Sequence, residues 1–287
     1  MNSDRSKKVA VVTGSSSGIG LEISLLLARN GFYTYATMRN LDKSKAITNL
    51  KQKEKLSLEI LQLDVTADES VKEAINKITN EQERIDVLVN NAGYALVGAF
   101  EELSMEEFKE QYETNVYGVI RVTQAVLPIM RSQRCGTIVN ISSIAGKIGF
   151  PLTSAYVSSK FALEGLSESM AYEIEQFGIK VILIEPGVIK TNFDKNLKIG
   201  KRVTIDHNSS YREMTQKRIS GFKPRFESGS PPIEVAKVIL KAITSENSSE
   251  LRYLVGNDAF KLMKIRNNIS DKDFRKLVIK SVLQDIN

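Results

Sequence analysis

Tyr156 and Lys160 are four residues apart, the spacing that places two side chains on one face of a helix. A free tyrosine titrates near ~10, too high for ready proton exchange at neutral pH. A neighbouring cation favours the phenolate and lowers that value. Lys160 supplies one such charge, so Tyr156 is fitted to give a proton to a carbonyl oxygen or to take one from an alcohol. Ser143, thirteen residues earlier, can hydrogen-bond the same oxygen and stabilise its developing charge. A surface helix with an incidental tyrosine and lysine is the bland alternative, and Ser143 weighs against it.

The stretch VVTGSSSGIGLEI, residues 11–23, admits two readings. Gly14-Ser15-Ser16-Ser17-Gly18 fits G-x-S-x-G, the turn that presents a nucleophilic serine in α/β-hydrolases. Gly14, Gly18 and Gly20 also form a glycine-rich turn, and small residues there let backbone N–H groups approach a phosphate at a helix N-terminus. A hydrolase needs a histidine, and the one histidine, His207, lies in a loop-like basic segment. Its serine turn also belongs to a strand well inside the sheet, whereas this turn follows the first strand of the chain. The phosphate-binding reading is preferred.

Such groups need a frame, and the hydrophobic pattern supplies one. Strands are expected at 8–12, 32–37, 58–65, 85–90, 136–143, 179–187 and 251–256. Helices are expected at 19–28, 42–53, 68–82, 105–130, 154–177, 233–244 and 271–284. This alternation predicts an α/β fold of Rossmann type, a doubly wound parallel sheet of about seven strands with helices on both faces. VAVVT, VLVN, TIVNI and VILIE are almost continuously apolar, as strands covered on both faces must be. Gly14, Asp64, Asn90, Ser143 and Pro186 fall at carboxyl ends of strands, where such sheets bind ligands.

A single domain of residues 1–287 is expected, with a core at 7–191, a variable segment of little periodicity at 192–232, and a helix–strand–helix ending at 233–287. Hydrophobic residues make up 42% and charged residues 26%, ordinary values for a soluble globular protein. One cysteine, Cys135, leaves no intrachain disulfide and reads as incidental. The polar N-terminus and the lack of an apolar run of ~20 residues argue against a signal peptide or membrane span, and a cytoplasmic location is expected. The net charge of +6 is concentrated at 195–226, where nine lysines and arginines meet only Asp206 and Glu213. That is one basic segment, not a nucleic-acid-binding surface. No metal site is expected.

Taken in order, Thr13-Gly14-Ser15-Ser16-Ser17-Gly18-Ile19-Gly20, Asn90-Asn91-Ala92-Gly93, Asn115, Ser143, Tyr156-Val157-Ser158-Ser159-Lys160 and Pro186-Gly187 closely resemble the short-chain dehydrogenase/reductase family, over about residues 7–191. Texture such as YATMRN and NVYGVIRVTQAVLP is closest to its hydroxysteroid- and retinol-dehydrogenase-like branch. The resemblance implies hydride transfer between a nicotinamide and a carbonyl or alcohol, catalysed by Asn115, Ser143, Tyr156 and Lys160. It assigns Asn115 a water that links Lys160 to solvent; asparagine is otherwise a poor helix-interior residue. It assigns the cofactor to Gly14, Ser16, Ser17, Gly18, Ile19 and Gly20, and the adenine to Asp64 and Val65. By the same resemblance Asn90, Asn91, Ala92 and Gly93 would form the ribose and nicotinamide-side wall, with Pro186, Gly187, Val188 and Thr191 against the nicotinamide, beside Tyr156 and Lys160.

Dinucleotide folds selective for NAD place an acid at the end of the second strand. Here the residues are Ala36-Thr37-Met38-Arg39-Asn40, so Arg39 is expected to grip a 2′-phosphate and favour NADP(H) over NAD(H). The expected substrate is an apolar small molecule of steroid, retinoid or fatty type. The basic segment 195–226 reads either as a solvated, mobile loop whose lysines aid solubility or, more sharply, as a lid in which Phe193, Tyr211, Met214, Phe222 and Phe226 cover the substrate while cations such as Lys217 and Arg218 attract a carboxylate or phosphate tail. A homodimer or homotetramer is expected from the family. An NADPH-binding sensor on the same fold is the alternative, although it has no need of Ser143, Tyr156 and Lys160 together. The last helix is basic and carries Phe274, Leu277, Val278 and Val282 along one side, a stripe that could lie on an anionic membrane but more often packs on the protein's own core.

Overall fold

A computed structural model describes residues 7–191, 193, 197–206, 208–245 and 250–283, with no side chains for 281–283. The first half runs β1 (Val9–Val12), α1 (Gly18–Arg29), β2 (Tyr33–Met38), α2 (Lys45–Glu54), β3 (Leu58–Gln62), α3 (Asp68–Gln82), β4 (Val87–Asn90), β5 (Ala95–Val97), α4 (Met105–Tyr112), α5 (Gly118–Gln133) and β6 (Gly136–Ile141). The second half runs α6 (Ser154–Ile174), β7 (Ile179–Pro186), β8 (Leu197–Ile199), α7 (Lys201–Ile205), α8 (Arg212–Glu227), α9 (Pro232–Thr244), β9 (Arg252–Val255), α10 (Asn257–Asn268) and α11 (Asp271–Leu283).

Seven strands form one sheet in the order β3-β2-β1-β4-β6-β7-β9, with every pairing parallel. This is the doubly wound Rossmann-type sheet that the sequence predicts. Within β1 the two-residue period survives in an all-apolar run. Val9 and Val11 pack with Val71 and Ile78 of α3 and Val122 and Val126 of α5. Ala10 and Val12 face the other side, against Ile23 and Leu27 of α1 and Val235 and Ile239 of α9. Alternate side chains of a strand point to opposite faces, so a strand between two helical layers must be apolar throughout. Pro232 opens α9 at its first position, where a missing N–H costs nothing.

Four features depart from the sequence reading. The helix expected at 105–130 is divided by a π-helical turn, Glu113–Tyr117, which contains Asn115. Residues 192–232, expected to be irregular, contain β8, α7 and the sixteen-residue α8. β8 pairs with β5 in a separate two-stranded parallel sheet. The C-terminal part gains α10 between β9 and α11.

In α11, Phe274 is buried against Ile144, Ile148 and Ala259, and Val278 is partly buried beside it. That stripe serves the core, while Leu277 lies at the surface and the side chain of Val282 lies outside the described residues. Among the described residues, no helix is long and apolar enough to cross a membrane.

Candidate active site

The carboxyl ends of β1, β2, β3, β4, β6 and β7 open into one cavity of about 900 Å³. The sheet order reverses between β1 and β4, and open α/β sheets bind ligands at such a point. The turns after these two strands are stitched together. Thr13 Oγ1 accepts from the backbone N–H groups of Asn91 and Ala92, each at 3.0 Å. Asn91 Nδ2 donates to the carbonyls of Thr13 at 2.8 Å and Gly14 at 3.1 Å. Gly14 has φ +70°, and a Cβ there would lie 2.9 Å from Ala92 Cα. A Cβ on Gly20 would lie 2.4 Å from Asn91 Nδ2, so neither position admits a side chain.

The serines of this turn divide. Ser15 is turned inward, donating to the Val12 carbonyl at 2.9 Å and accepting from Ser24 Oγ at 2.9 Å. Ser16 and Ser17 line the cavity with Gly18 and Ile19. Ser17 is the N-cap of α1 yet makes no side-chain capping bond, and the first turn holds no acid. The first N–H groups of α1 and its positive dipole end are therefore available to an anion. The turn fits the pyrophosphate of a dinucleotide.

At the end of β2, Arg39 and Asn40 are exposed and line the cavity with Lys43, which the sequence reading did not single out. Its signal in the chain is a lysine three residues after Asn40, in the turn that follows β2. Asp64 and Val65 line the next stretch, and Asp64 Oδ1 accepts from the N–H of Thr66 at 3.0 Å and its hydroxyl at 2.7 Å. Asn91, Ala92, Gly93, Pro186, Gly187, Val188 and Thr191 complete the predicted wall. Thr191 lies against Gly18, where an added Cβ would approach its methyl to 3.2 Å.

Asn90 is a correction. Its side chain is 3% exposed, donates to Thr123 Oγ1 at 3.0 Å and Asn140 Oδ1 at 2.9 Å, and does not line the cavity. Asn91 is the next residue, and strand alternation sends the two side chains to opposite sides. Asn115 also stands behind the cavity wall, 1% exposed. Its amide accepts from the N–H of Tyr94 at 3.2 Å and donates to the Tyr94 carbonyl at 3.0 Å and to Ser159 Oγ at 3.2 Å. Its side chain thus fixes the segment after Gly93 to the helix that carries Tyr156.

Ser143, Tyr156 and Lys160 share the cavity wall. Ser143 follows β6; its Oγ accepts from the N–H of Ala145 at 3.1 Å and lies 3.4 Å from the Pro186 carbonyl at the end of β7. Tyr156 and Lys160 sit one turn apart on α6. The Lys160 ammonium is buried, donates to the Ile141 carbonyl at 2.7 Å, and lies 5.8 Å from the centre of the Tyr156 ring. Burial pushes the Tyr156 phenol up to about 12, against a lowering hydrogen bond with Ser143. Burial also lowers the Lys160 ammonium to about 8, against the raising charge of Glu164. The phenol is thus protonated at neutral pH, the state needed to donate to a carbonyl oxygen.

The family model for short chain dehydrogenase matches residues 8–202. The chain belongs to this family. This short-chain dehydrogenase is 42% identical to the uncharacterized oxidoreductase YusZ of Bacillus subtilis over 253 residues, covering 87% of this chain and 89% of that protein. It is 37% identical to bovine retinol dehydrogenase 8, covering 83% of this chain and 78% of that protein. Among solved structures, ElxO with NADP bound is 33% identical with a TM-score of 0.73, covering 89% of this chain and 99% of that one.

The far wall of the dehydrogenase cavity corrects the predicted lid. Phe193, Phe222 and Phe226 line it, joined by Phe150 and Leu262. Tyr211 and Met214 instead pack with Val97, Ala99 and Leu152. Lys217 pairs with Glu213 at 3.5 Å, so of the two cations singled out from the sequence only Arg218 lines the cavity. Lys195 and His207 lie outside the described residues. Among the described residues no cluster is suited to hold a metal ion.

Proposed function

We propose that this short-chain dehydrogenase is an NADP(H)-dependent oxidoreductase acting on a carbonyl or secondary alcohol in an apolar small molecule. The observation that carries the reading is the convergence of Ser143, Tyr156 and Lys160 on a cavity wall opposite Phe193 and Phe226. A bound nicotinamide supplies or accepts the hydride. Tyr156 gives its phenolic proton to the carbonyl oxygen, and takes one back in the reverse direction. Ser143 donates a hydrogen bond to the same oxygen as charge develops. Lys160 stabilises the phenolate left behind. Asn115 holds the backbone of Tyr94 beside the site.

Selection of NADP(H) rests on the end of β2. Arg39 and Lys43 present two cations and no carboxylate to the cavity. A carboxylate there would bind a ribose 2′-hydroxyl and repel a 2′-phosphate, whereas a guanidinium pairs with the phosphate. The apolar substrate is supported by the phenylalanines opposite Tyr156 and by the likeness to retinol dehydrogenase 8. The test is a screen of the purified protein with NADPH and with NADH against retinoid, steroid, long-chain and short-chain carbonyls, followed by absorbance. Turnover of an apolar carbonyl with a higher kcat/KM for NADPH is expected. No turnover of any carbonyl with either cofactor would overturn the reading.

A further inference from the structure

Helix α8 brings two cations, Arg218 and Arg225, to the cavity, and among the described residues neither forms an ion pair with an acid. Arg218, Phe222, Arg225 and Phe226 follow at spacings of four, three and one, so they share a face, and all four line the cavity. The guanidinium of Arg218 lies 4.8 Å from the centre of the Phe222 ring. Its Nε is buried and has no hydrogen-bond partner. Neighbouring cations of the same segment are differently placed. Lys198 reaches Glu110 at 3.2 Å, Arg202 reaches Asp206 at 3.5 Å, and Lys217 reaches Glu213. Burial, and then the like charge of Arg225, lowers the Arg218 guanidinium to about 10.

Among the described residues, the rest of the cavity gives Arg218 no ion pair. Seven lysines and arginines line it against two acids, Asp64 and Asp258. Asp64 accepts from Thr66, and Asp258 accepts from the N–H of Val188 at 2.8 Å. A buried N–H donor on a cation is costly to leave unpaired, and a guanidinium fork matches an oxyanion in geometry and charge. An apolar path leads from Arg218 to the reacting hydroxyl. The Phe222 and Phe226 rings are 6.1 Å apart, Phe226 and Phe193 6.0 Å, and Phe193 and Tyr156 6.5 Å.

We infer that the substrate is an acidic amphiphile: an apolar body laid along Phe193, Phe226 and Phe222, with a carboxylate or phosphate head paired to Arg218 and Arg225 and its carbonyl or alcohol at Tyr156. This rests on the oxidoreductase reading and names the substrate class of the same site. The rings bind the body without regard to charge. The two arginines select the head, and the distance along the ladder sets which carbon of the body reaches Tyr156.

Equilibrium binding tests this apart from turnover. cis-Parinaric acid, a long-chain carboxylate that fluoresces on burial, and its methyl ester are titrated into the protein with and without saturating NADP+. The acid is expected to bind at least about tenfold tighter than the ester at low salt. Arg218→Gln should cut that preference to about threefold or less and leave ester binding and NADP+ affinity unchanged, Arg218→Lys should retain more of it, and Arg218→Gln combined with Arg225→Gln should abolish it. Laurate and dodecyl phosphate then compete for the probe, and the one effective at lower concentration identifies the head as carboxylate or phosphate. Equal binding of acid and ester, binding of neither, or retention of the full preference in Arg218→Gln overturns the inference. Loss of NADP+ affinity in Arg218→Gln also overturns it, because Arg218 would then serve the cofactor. Failure to turn over any carbonyl would count against the oxidoreductase reading and leave these affinities standing.

Discussion

The Lys160 ammonium lies 5.8 Å from the centre of the Tyr156 ring but spends its hydrogen bond on the carbonyl of Ile141, 2.7 Å away. The strand end therefore anchors the cation, which acts on the phenol through space. Burial drives both groups toward their neutral forms, the phenol up to about 12 and the ammonium down to about 8. Lys160 is the first to change as pH rises. Below about pH 8 it is charged and stabilises the phenolate left after proton donation; above that it is neutral and does not. Carbonyl reduction should fall as pH climbs through that point. Lys160→Arg, charged throughout, should move the fall to higher pH. A flat wild-type profile between pH 7 and 10 would contradict the assignment.

Tyr156→Phe removes the hydroxyl and keeps the ring, which stands 6.5 Å from that of Phe193. Positioned acid–base catalysis is worth ~10²–10⁴-fold, so kcat should drop by at least about a hundredfold. Cofactor affinity, measured by fluorescence titration, should stay within about twofold. A kcat within threefold of wild type would remove Tyr156 from the proton-transfer role.

Arg39 and Lys43 are the cations presented beyond β2. Replacing both with alanine should weaken NADPH by tenfold or more, on the order of one charge-assisted hydrogen bond, and leave NADH within about twofold. Met38→Asp, which adds a carboxylate at the strand end, should reverse the preference. Equal losses for both cofactors would show that neither cation reads the 2′-phosphate.

Phe161 is 46% exposed and Tyr172 71% exposed on α6, eleven residues apart and so on one helix face. Exposed aromatic rings on one face suit a partner surface, and a homodimer through α6 is proposed. Light scattering should give a dimer or tetramer mass for wild type and a smaller species for Phe161→Asp. A monomeric wild type at micromolar concentration would dismiss the proposal.

Much of this was legible in the sequence because its signals are local. A strand covered on both faces reads as Val9-Ala10-Val11-Val12 wherever it lies in the sheet, and the glycine turn must follow it at once. The strand ends then gather Gly14, Asn91, Ser143 and Pro186 without further information. Helix α8 was hidden for the opposite reason. It carries Gly221 and Pro224 in its interior, residues that normally stop a helix, and basic residues interrupt its apolar positions. Tertiary contacts of Tyr211, Met214, Ile219 and Phe222 with Val97 and Leu152 hold it instead. The π-helical turn at Asn115 leaves no periodicity signal, only an asparagine where a helix interior disfavours one. Whether an arginine such as Arg218 meets an acid depends on what folds beside it, and no spacing in the chain reveals that.

Two buried carboxyls, Glu164 and Glu185, lie outside the cavity that Lys160 lines. Glu164, one turn after Lys160 on α6, is 5% exposed, and Glu185 near the end of β7 is 3% exposed. Arg252 of β9 lies between them and Glu168, 2.9 Å from Glu164 Oε2, 2.6 Å from Glu168 Oε2 and 3.5 Å from Glu185 Oε1. Oε1 of Glu164 and Oε1 of Glu185 are both buried without a hydrogen-bond partner, a condition that one shared proton relieves. Burial, then the charge of Glu164, raises Glu185 to about 7, while Lys147 and Arg252 pull it back. Its ordinary value is 4.5, so between that pH and about 7 the folded protein keeps a proton that the unfolded chain has lost. The associated stability is complete below the unfolded value and is lost as pH rises through the folded one. Glu185→Gln fixes the neutral state. Its Tm should match wild type near pH 5 and exceed it at pH 8 by several degrees, since 1 kcal/mol is worth ~2–4 °C in a domain of roughly this size. The same difference at both pH values would show that Glu185 is ionised throughout and that no proton is shared.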